Sequence, residues 1–283
     1  AGPDDTLRSV PLLLADMAAG ARVGTLIHSV MELTDFSAPD LARELRTALA
    51  AGLSWQHLDL GDLGAVVEGL IASIATPLGP LVDGSRLRDI GRGDRLDEMT
   101  FELPVLGGDD PHGALSVTDI AGLLEAHLQE DDPMRRYAGR LADPSLNTTL
   151  RGYLTGSLDL VFRLADDRFV VVDYKTNRLS GPDGSLSAWN YRSDAVAAEM
   201  EAAHYPLQAL LYTVALHRYL RWRVKGYDPA RNLGGVLYLF LRGMSSPSFP
   251  VSQGQPCGVW SWRPPGALVE ALSDLFDAGR RLR

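Results

Sequence analysis

Two acids and one amine carry the chemistry this chain could perform. Asp159 lies in GSLDLVFRL and Asp173 in RFVVVDYKT, two apolar runs joined across Ala165-Asp166-Asp167-Arg168. In an antiparallel hairpin centred on Asp166, inside that turn signal, Asp159 and Asp173 face one another, with Cβ atoms about 4.5–5.5 Å apart. Side chains alternate along a strand, so Lys175 shares the face of Asp173 one step further on. Like charges placed opposite destabilise a sheet, and apolar surroundings add a desolvation cost. A divalent cation resolves the conflict, and hard carboxylate oxygens suit Mg²⁺. The competing reading is a surface hairpin in which Lys175 is a salt-bridge partner. Against it, the residues flanking both acids are almost all apolar.

The elements that must position these groups follow from periodicity. Apolar residues recur at three and four in VGTLIHSVMEL, LARELRTALAAGL and LGAVVEGLIASI, which predicts a mainly helical stretch over 7–80. EMTFELPVL, about 98–106, alternates like a strand, and VTDIAGLLEAHL predicts a helix capped near Ser116. Residues 129–149 read as charged loop, and 178–193, with Ser-Gly-Pro-Asp-Gly, as a mobile connection. A long helix is expected over about 195–221, kinked or divided by Pro206. A buried strand in GGVLYLFLRG and an amphipathic helix near 266–282 complete the pattern. Strands enclosed by helices, with no clean linker, predict one α/β unit over 1–283. Its parts would be a mainly helical 1–90, central strands with the site over 91–178, and a helix, strand and final helix over 195–283.

Composition bounds the function. With 46% hydrophobic and 22% charged residues the chain reads as an ordinary globular protein. The single Cys257 can form neither an internal disulfide nor a thiolate cluster, which suits a reducing cytoplasm. No apolar run reaches the roughly 18 residues of a membrane span, and no secretory signal is evident. The opening AGPDDTLRSV, without methionine, reads as the edge of a longer polypeptide. A net charge of −9 weighs against nucleic acid, since nonspecific affinity comes from Lys and Arg. A carboxylate metal site is nonetheless acidic by construction, and phosphates could meet local patches at Arg135, Arg136 and Arg140 or at Arg218, Arg221, Arg223 and Lys225. No GxxxxGK[ST] loop is present, which excludes an ATP-driven motor in this chain.

GSLDLVF followed by VVDYKTN resembles the two central motifs of the PD-(D/E)XK nuclease superfamily, with Asp173-Tyr174-Lys175 as the (D/E)XK element. GTLIHSVME resembles the upstream histidine motif, and Tyr205-Pro206-Leu207-Gln208 through Tyr212 the QxxxY helix of the RecB-type branch. The likeness covers roughly residues 20–245 in the expected order. It implies a restriction-endonuclease-like mixed sheet and an Mg-dependent deoxyribonuclease of the exonuclease V type, acting in double-strand break repair. It also implies that His28, Asp159, Asp173 and the main-chain carbonyl of Tyr174 hold Mg²⁺, with Mn²⁺ accepted. Lys175 would act on the attacking water or phosphoryl oxygens, and Gln208 and Tyr212, on one helix face, would line the site. Glu98 could support the lysine or the metal shell, and Arg242 could contact a phosphate or serve as a cap. The implied partners are DNA, upstream helicase domains of the same polypeptide, RecC and RecD-type subunits, and RecA. The iron–sulfur branch of these nucleases is excluded by the single cysteine. The alternative from another class is a catalytically silent module that docks a helicase or recombinase; the intact Asp159, Asp173 and Lys175 argue against it.

Overall fold

Helices open the chain because two aspartate caps and a repeating apolar stripe favour them. The computed structural model describes residues 3–109, 115–146, 148–181 and 184–278. Helix α1 (Pro3–Arg8) is followed by α2 (Ala21–Leu33), α3 (Leu41–Trp55) and α4 (Leu63–Ala75). Asp40 accepts the Arg43 N–H at the start of α3, and Asp62 accepts those of Gly64 and Ala65 at α4, satisfying amides with no partner inside the helix. Val23, Leu26, Ile27, Val30 and Met31 form the buried stripe of α2.

The central sheet has five strands in the order β1-β2-β3-β4-β7. Strands β1 (Arg95–Val105), β2 (Gly152–Arg163) and β3 (Phe169–Lys175) are successively antiparallel. Strand β4 (Leu233–Phe240) runs parallel to β3, and the edge strand β7 (Val259–Trp262) antiparallel to β4. A small ribbon of β5 (Val251–Ser252) and β6 (Gln255–Pro256) lies apart from it. Every residue of β4 is buried, as its unbroken apolar run requires. On one sheet face Leu160, Phe162, Val170 and Val172 join Ile27 of α2 and Leu70 of α4. On the other, Leu158, Val161 and Val171 meet α5 (Val117–His127), α8 (Tyr205–Arg223) and α11 (Gly266–Ala278) through Ile120, Val214 and Leu272. This is the mixed α/β architecture of the restriction-endonuclease-like fold.

Several expectations change in detail. Residues 129–149 are not simply loop: α6 (Arg135–Leu141) forms there, because Tyr137, Ala138 and Leu141 share a buried face beneath the arginines. Of the connection 178–193, residues 182–183 lie outside the described residues; Ala188–Tyr191 is a short 3₁₀ turn with Tyr191 fully buried. The long helix is divided into α7 (Ser193–Ala202) and α8, with His204 left-handed at φ 54° and Pro206 in the first turn of α8. The tail of the final predicted helix, 279–282, lies outside the described residues. After β4 the chain turns through α10 (Leu241–Met244) instead of staying extended, and before β4 runs the short α9 (Pro229–Asn232). No described helix is long and apolar enough to cross a membrane.

Candidate functional site

The β2–β3 hairpin has the register its turn residues predict, with Leu160 opposite Val172 and Arg163 opposite Phe169. Its ladder ends one pair before the two acids. The alternation of faces slips there: Leu158 belongs to one core and Leu160 to the other, while Glu98, across from Asp159 on β1, has φ 50°. Freed from strict pairing, the Asp159 carboxylate accepts the Tyr174 N–H at 2.8 Å through Oδ2 and meets His28 Nδ1 at 3.1 Å through Oδ1. Helix α2 can come this close because Gly24 lies one turn before His28. A Cβ there would stand 3.2 Å from Thr176 Oγ1. Burial alone would depress the His28 imidazole, but the hydrogen bond and charge of Asp159 leave its pKa raised.

Asp173 is almost wholly buried, and its carboxyl is pushed up to about 6. Loss of solvation is the main cause; Lys175 opposes it and the Asp159 charge adds to it. Lys175 Nζ stands 2.5 Å from Asp173 Oδ2 and 3.4 Å from Gln208 Oε1. Gln208 in turn donates to Tyr212 Oη at 2.9 Å, and Tyr212 lies edge-on to Phe101. The structure thus brings His28, Asp159, Asp173, Lys175, Gln208 and Tyr212 into one connected group. The Tyr174 ring is buried in the core, 6.1 Å from the imidazole of His28.

Glu98, expected to support the lysine or the metal shell, is exposed on β1 across from Asp159. Its neighbour is Glu32 on α2, whose carboxyl is raised first by burial and then by the Glu98 and Asp97 charges. Of its two expected roles, Arg242 takes that of a cap on main-chain carbonyls. It is fully buried in α10, and its guanidinium donates to the carbonyls of Leu14, Met17, Ala18 and Thr176. Of the two basic patches, Arg136 and Arg140 bind Glu201, Arg135 caps the carbonyls of Glu125 and Leu128, and Arg218 binds Asp277. Tyr238 is a member of the group that sequence reasoning missed: its hydroxyl donates to Gln208 Oε1 at 2.9 Å. In a strand buried on both faces no alternation marks it. Its signal is positional, since it lies beside Asp173 in the parallel β3–β4 register.

The donor set, one imidazole nitrogen with carboxylate oxygens, suits a hard or borderline divalent ion. Asp173 Oδ2 is buried with no aligned hydrogen-bond donor, although the ammonium of Lys175 stands beside it. Among the described residues no three His, Cys, Asp or Glu side chains already converge as a metal cage.

The chain is similar to the RecBCD enzyme subunit RecB of Mycobacterium tuberculosis (strain CDC 1551 / Oshkosh), with 47% identity over 273 residues, covering 94% of this chain and 24% of the relative. It is similar to that of Mycolicibacterium smegmatis, 47% identical over 271 residues, 95% of the chain and 25% of the relative. The Escherichia coli (strain K12) RecB is 34% identical over 260 residues, 91% of the chain and 19% of the relative. The chain therefore spans a quarter or less of the length of these relatives. The model of the PD-(D/E)XK nuclease superfamily matches residues 6–271, taking in the helical opening, the carboxylate hairpin and the helix that carries Gln208. A match of that extent, over a mixed sheet with an acid, acid and lysine at its strand ends, means that the chain belongs to the PD-(D/E)XK nuclease superfamily.

Proposed function

We propose that this chain is the nuclease domain of a RecB-type helicase–nuclease and that it hydrolyses DNA phosphodiester bonds with a divalent metal ion during double-strand break repair. One observation carries the reading: Lys175 is held between Asp173 and Gln208 beside the His28–Asp159 couple. His28, Asp159, Asp173 and the Tyr174 carbonyl would hold Mg²⁺ or Mn²⁺. Such an ion lowers the pKa of bound water and polarises a phosphoryl oxygen. The Lys175 ammonium offers N–H donors to the attacking water or to phosphate oxygens, where charge builds up in the transition state. Gln208 would help to fix the lysine, and Tyr212 Gln208.

The likeness to RecB subunits extends the proposal to partners. Helicase domains earlier in the same polypeptide would feed DNA to the site in the cytoplasm, RecC and RecD-type subunits would complete the assembly, and RecA would be loaded on the product strand. The test is cleavage of linear DNA with Mg²⁺, Mn²⁺ or chelator, for the parent and Lys175→Ala. The parent should cut only with metal, and Lys175→Ala should lose activity by about a hundredfold or more, typical of removing a transition-state charge donor. A parent that binds metal yet never cuts would leave only a docking role, and a Lys175→Ala variant within tenfold of the parent would remove the lysine from the chemistry.

A further inference from the structure

The chain contains two lysines, Lys175 and Lys225, against 25 arginines. Nearly every cation is a guanidinium, so the ammonium at 175 calls for a local reason. Its surroundings supply one. Lys175 Nζ lies 4.2 Å from the ring centre of Tyr205 and 5.1 Å from that of Tyr238, both inside the roughly 6 Å range of a cation–π contact. The two rings stack on one another at 5.7 Å with 26° between their planes. Each is fixed from behind. Tyr238 is fully buried, edge-on to Trp260 and bonded to Gln208; the Tyr205 hydroxyl accepts from Asn177 Nδ2, which also binds Glu199. The left-handed His204 starts α8 so that Tyr205, its first residue, stands at the strand ends.

We propose that Tyr205 and Tyr238 are positioning residues: a two-ring seat that holds the Lys175 ammonium in place beside Asp173 and Gln208. This rests on the reading that Lys175 acts on the scissile phosphate. A π face attracts a cation without a formal charge, so the seat adds to the hold of Asp173 and Gln208 on the ammonium without bringing a further carboxylate into the site. A compact ammonium on a flexible four-carbon stem needs such fixing, and a planar guanidinium has a different shape and reach.

With two lysines, the protein carrying ¹³C-labelled lysine gives two sets of ε-methylene signals, assigned by Lys175→Ala. In the parent, ring currents should set the Lys175 signal upfield of that of the exposed Lys225. Tyr205→Leu should return it towards the Lys225 position, while Tyr205→Phe should leave it upfield. In Mg²⁺-dependent cleavage Tyr205→Leu should lower kcat by about 5- to 30-fold, the rate equivalent of a desolvated cation–π contact. KM for DNA should stay within about threefold, and Tyr205→Phe should retain kcat within about twofold. Tyr238→Phe keeps the ring, so it should keep the upfield signal even though its bond to Gln208 is gone. The seat is overturned if the parent Lys175 signal is not shifted, if it ignores Tyr205→Leu, or if Phe and Leu at 205 are equally damaging. If Lys175→Ala still cleaves, the role of the lysine in the nuclease reading fails, and the two-lysine spectrum still decides whether the seat exists.

Discussion

Arg242 carries its charge into the interior, where four main-chain carbonyls receive it and, among the described residues, no carboxylate does. Those carbonyls belong to the 14–18 segment leading into α2 and to Thr176, the residue after Lys175. The side chain therefore ties the approach of the His28 helix to the end of the lysine strand. Arg242→Met would strand buried acceptors at about 1–3 kcal/mol each. At roughly 2–4 °C per kcal/mol, the melting temperature should drop by about 10 °C or more; a drop under about 3 °C would mean that water replaces the guanidinium without cost. Asp159 makes the opposite case. Asn at that position can still accept the Tyr174 N–H and face His28, while removing a negative charge that makes the buried Asp173 harder to ionise. Without metal, Asp159→Asn should melt at or above the parent. With metal at about one hundred times its dissociation constant, the parent should gain roughly 2.7 kcal/mol and the variant little of it. Equal responses to Mg²⁺ at fixed ionic strength would show that Asp159 is not a ligand.

Helix α8 joins the site at its first turns to the loop after its last. Near its far end His217 Nδ1 meets the Tyr227 hydroxyl at 2.9 Å, and burial, then Arg221 and Arg218, hold the imidazole down at about 4 against an ordinary 6.5, with Asp274 opposing. The folded state thus resists taking the proton that the unfolded chain accepts near 6.5. Stability from this group is complete above pH 6.5 and is lost as pH falls towards 4. His28, raised, has the opposite sign, so the comparison belongs within a His217→Gln pair. Melts from pH 7.5 to 4.5 should fall less steeply in the variant, and parallel curves would show that His217 is not the group concerned. The same helix shows what sequence makes legible. Its start was readable because Pro206 cannot continue a helix, and the hairpin register because Ala165–Arg168 fixes the turn. Strand β7 was not readable: four residues, VWSW, carry too little period, and its entry depends on Gly258 at φ 84°, where a Cβ would meet the Phe240 carbonyl oxygen at 2.7 Å. Helix α6 was hidden in a segment whose charge reads as loop, although Tyr137, Ala138 and Leu141 give it a buried face. The partners of Arg242 in the 14–18 segment lie more than 220 positions away, beyond any local pattern. The acids and the lysine stood out because each breaks an apolar strand.

Over the whole molecule, several arginines among the described residues are paired with the chain's own acids. Arg86 binds Asp89, Arg163 binds Asp94, Arg168 spans Asp83 and Asp166, Arg136 and Arg140 share Glu201, and Arg218 holds Asp277. With a net charge of −9, the long-range field repels DNA. On the proposed function, a domain of this charge would gain little from its own surface in capturing DNA. Binding to a DNA oligonucleotide, measured with Lys175→Ala so that nothing is cut, should therefore be weak at physiological salt, with a dissociation constant in the nonspecific range of about 10⁻⁴ to 10⁻⁶ M or above it. Each phosphate contacted contributes a slope of roughly −0.9 to the logarithm of affinity against that of salt. Three contacts would thus weaken binding about fortyfold between 50 and 200 mM. Affinity below about 10⁻⁷ M that ignores salt would mean that recognition rests on stacking or on bases, and that the acidic surface is no barrier to the isolated domain.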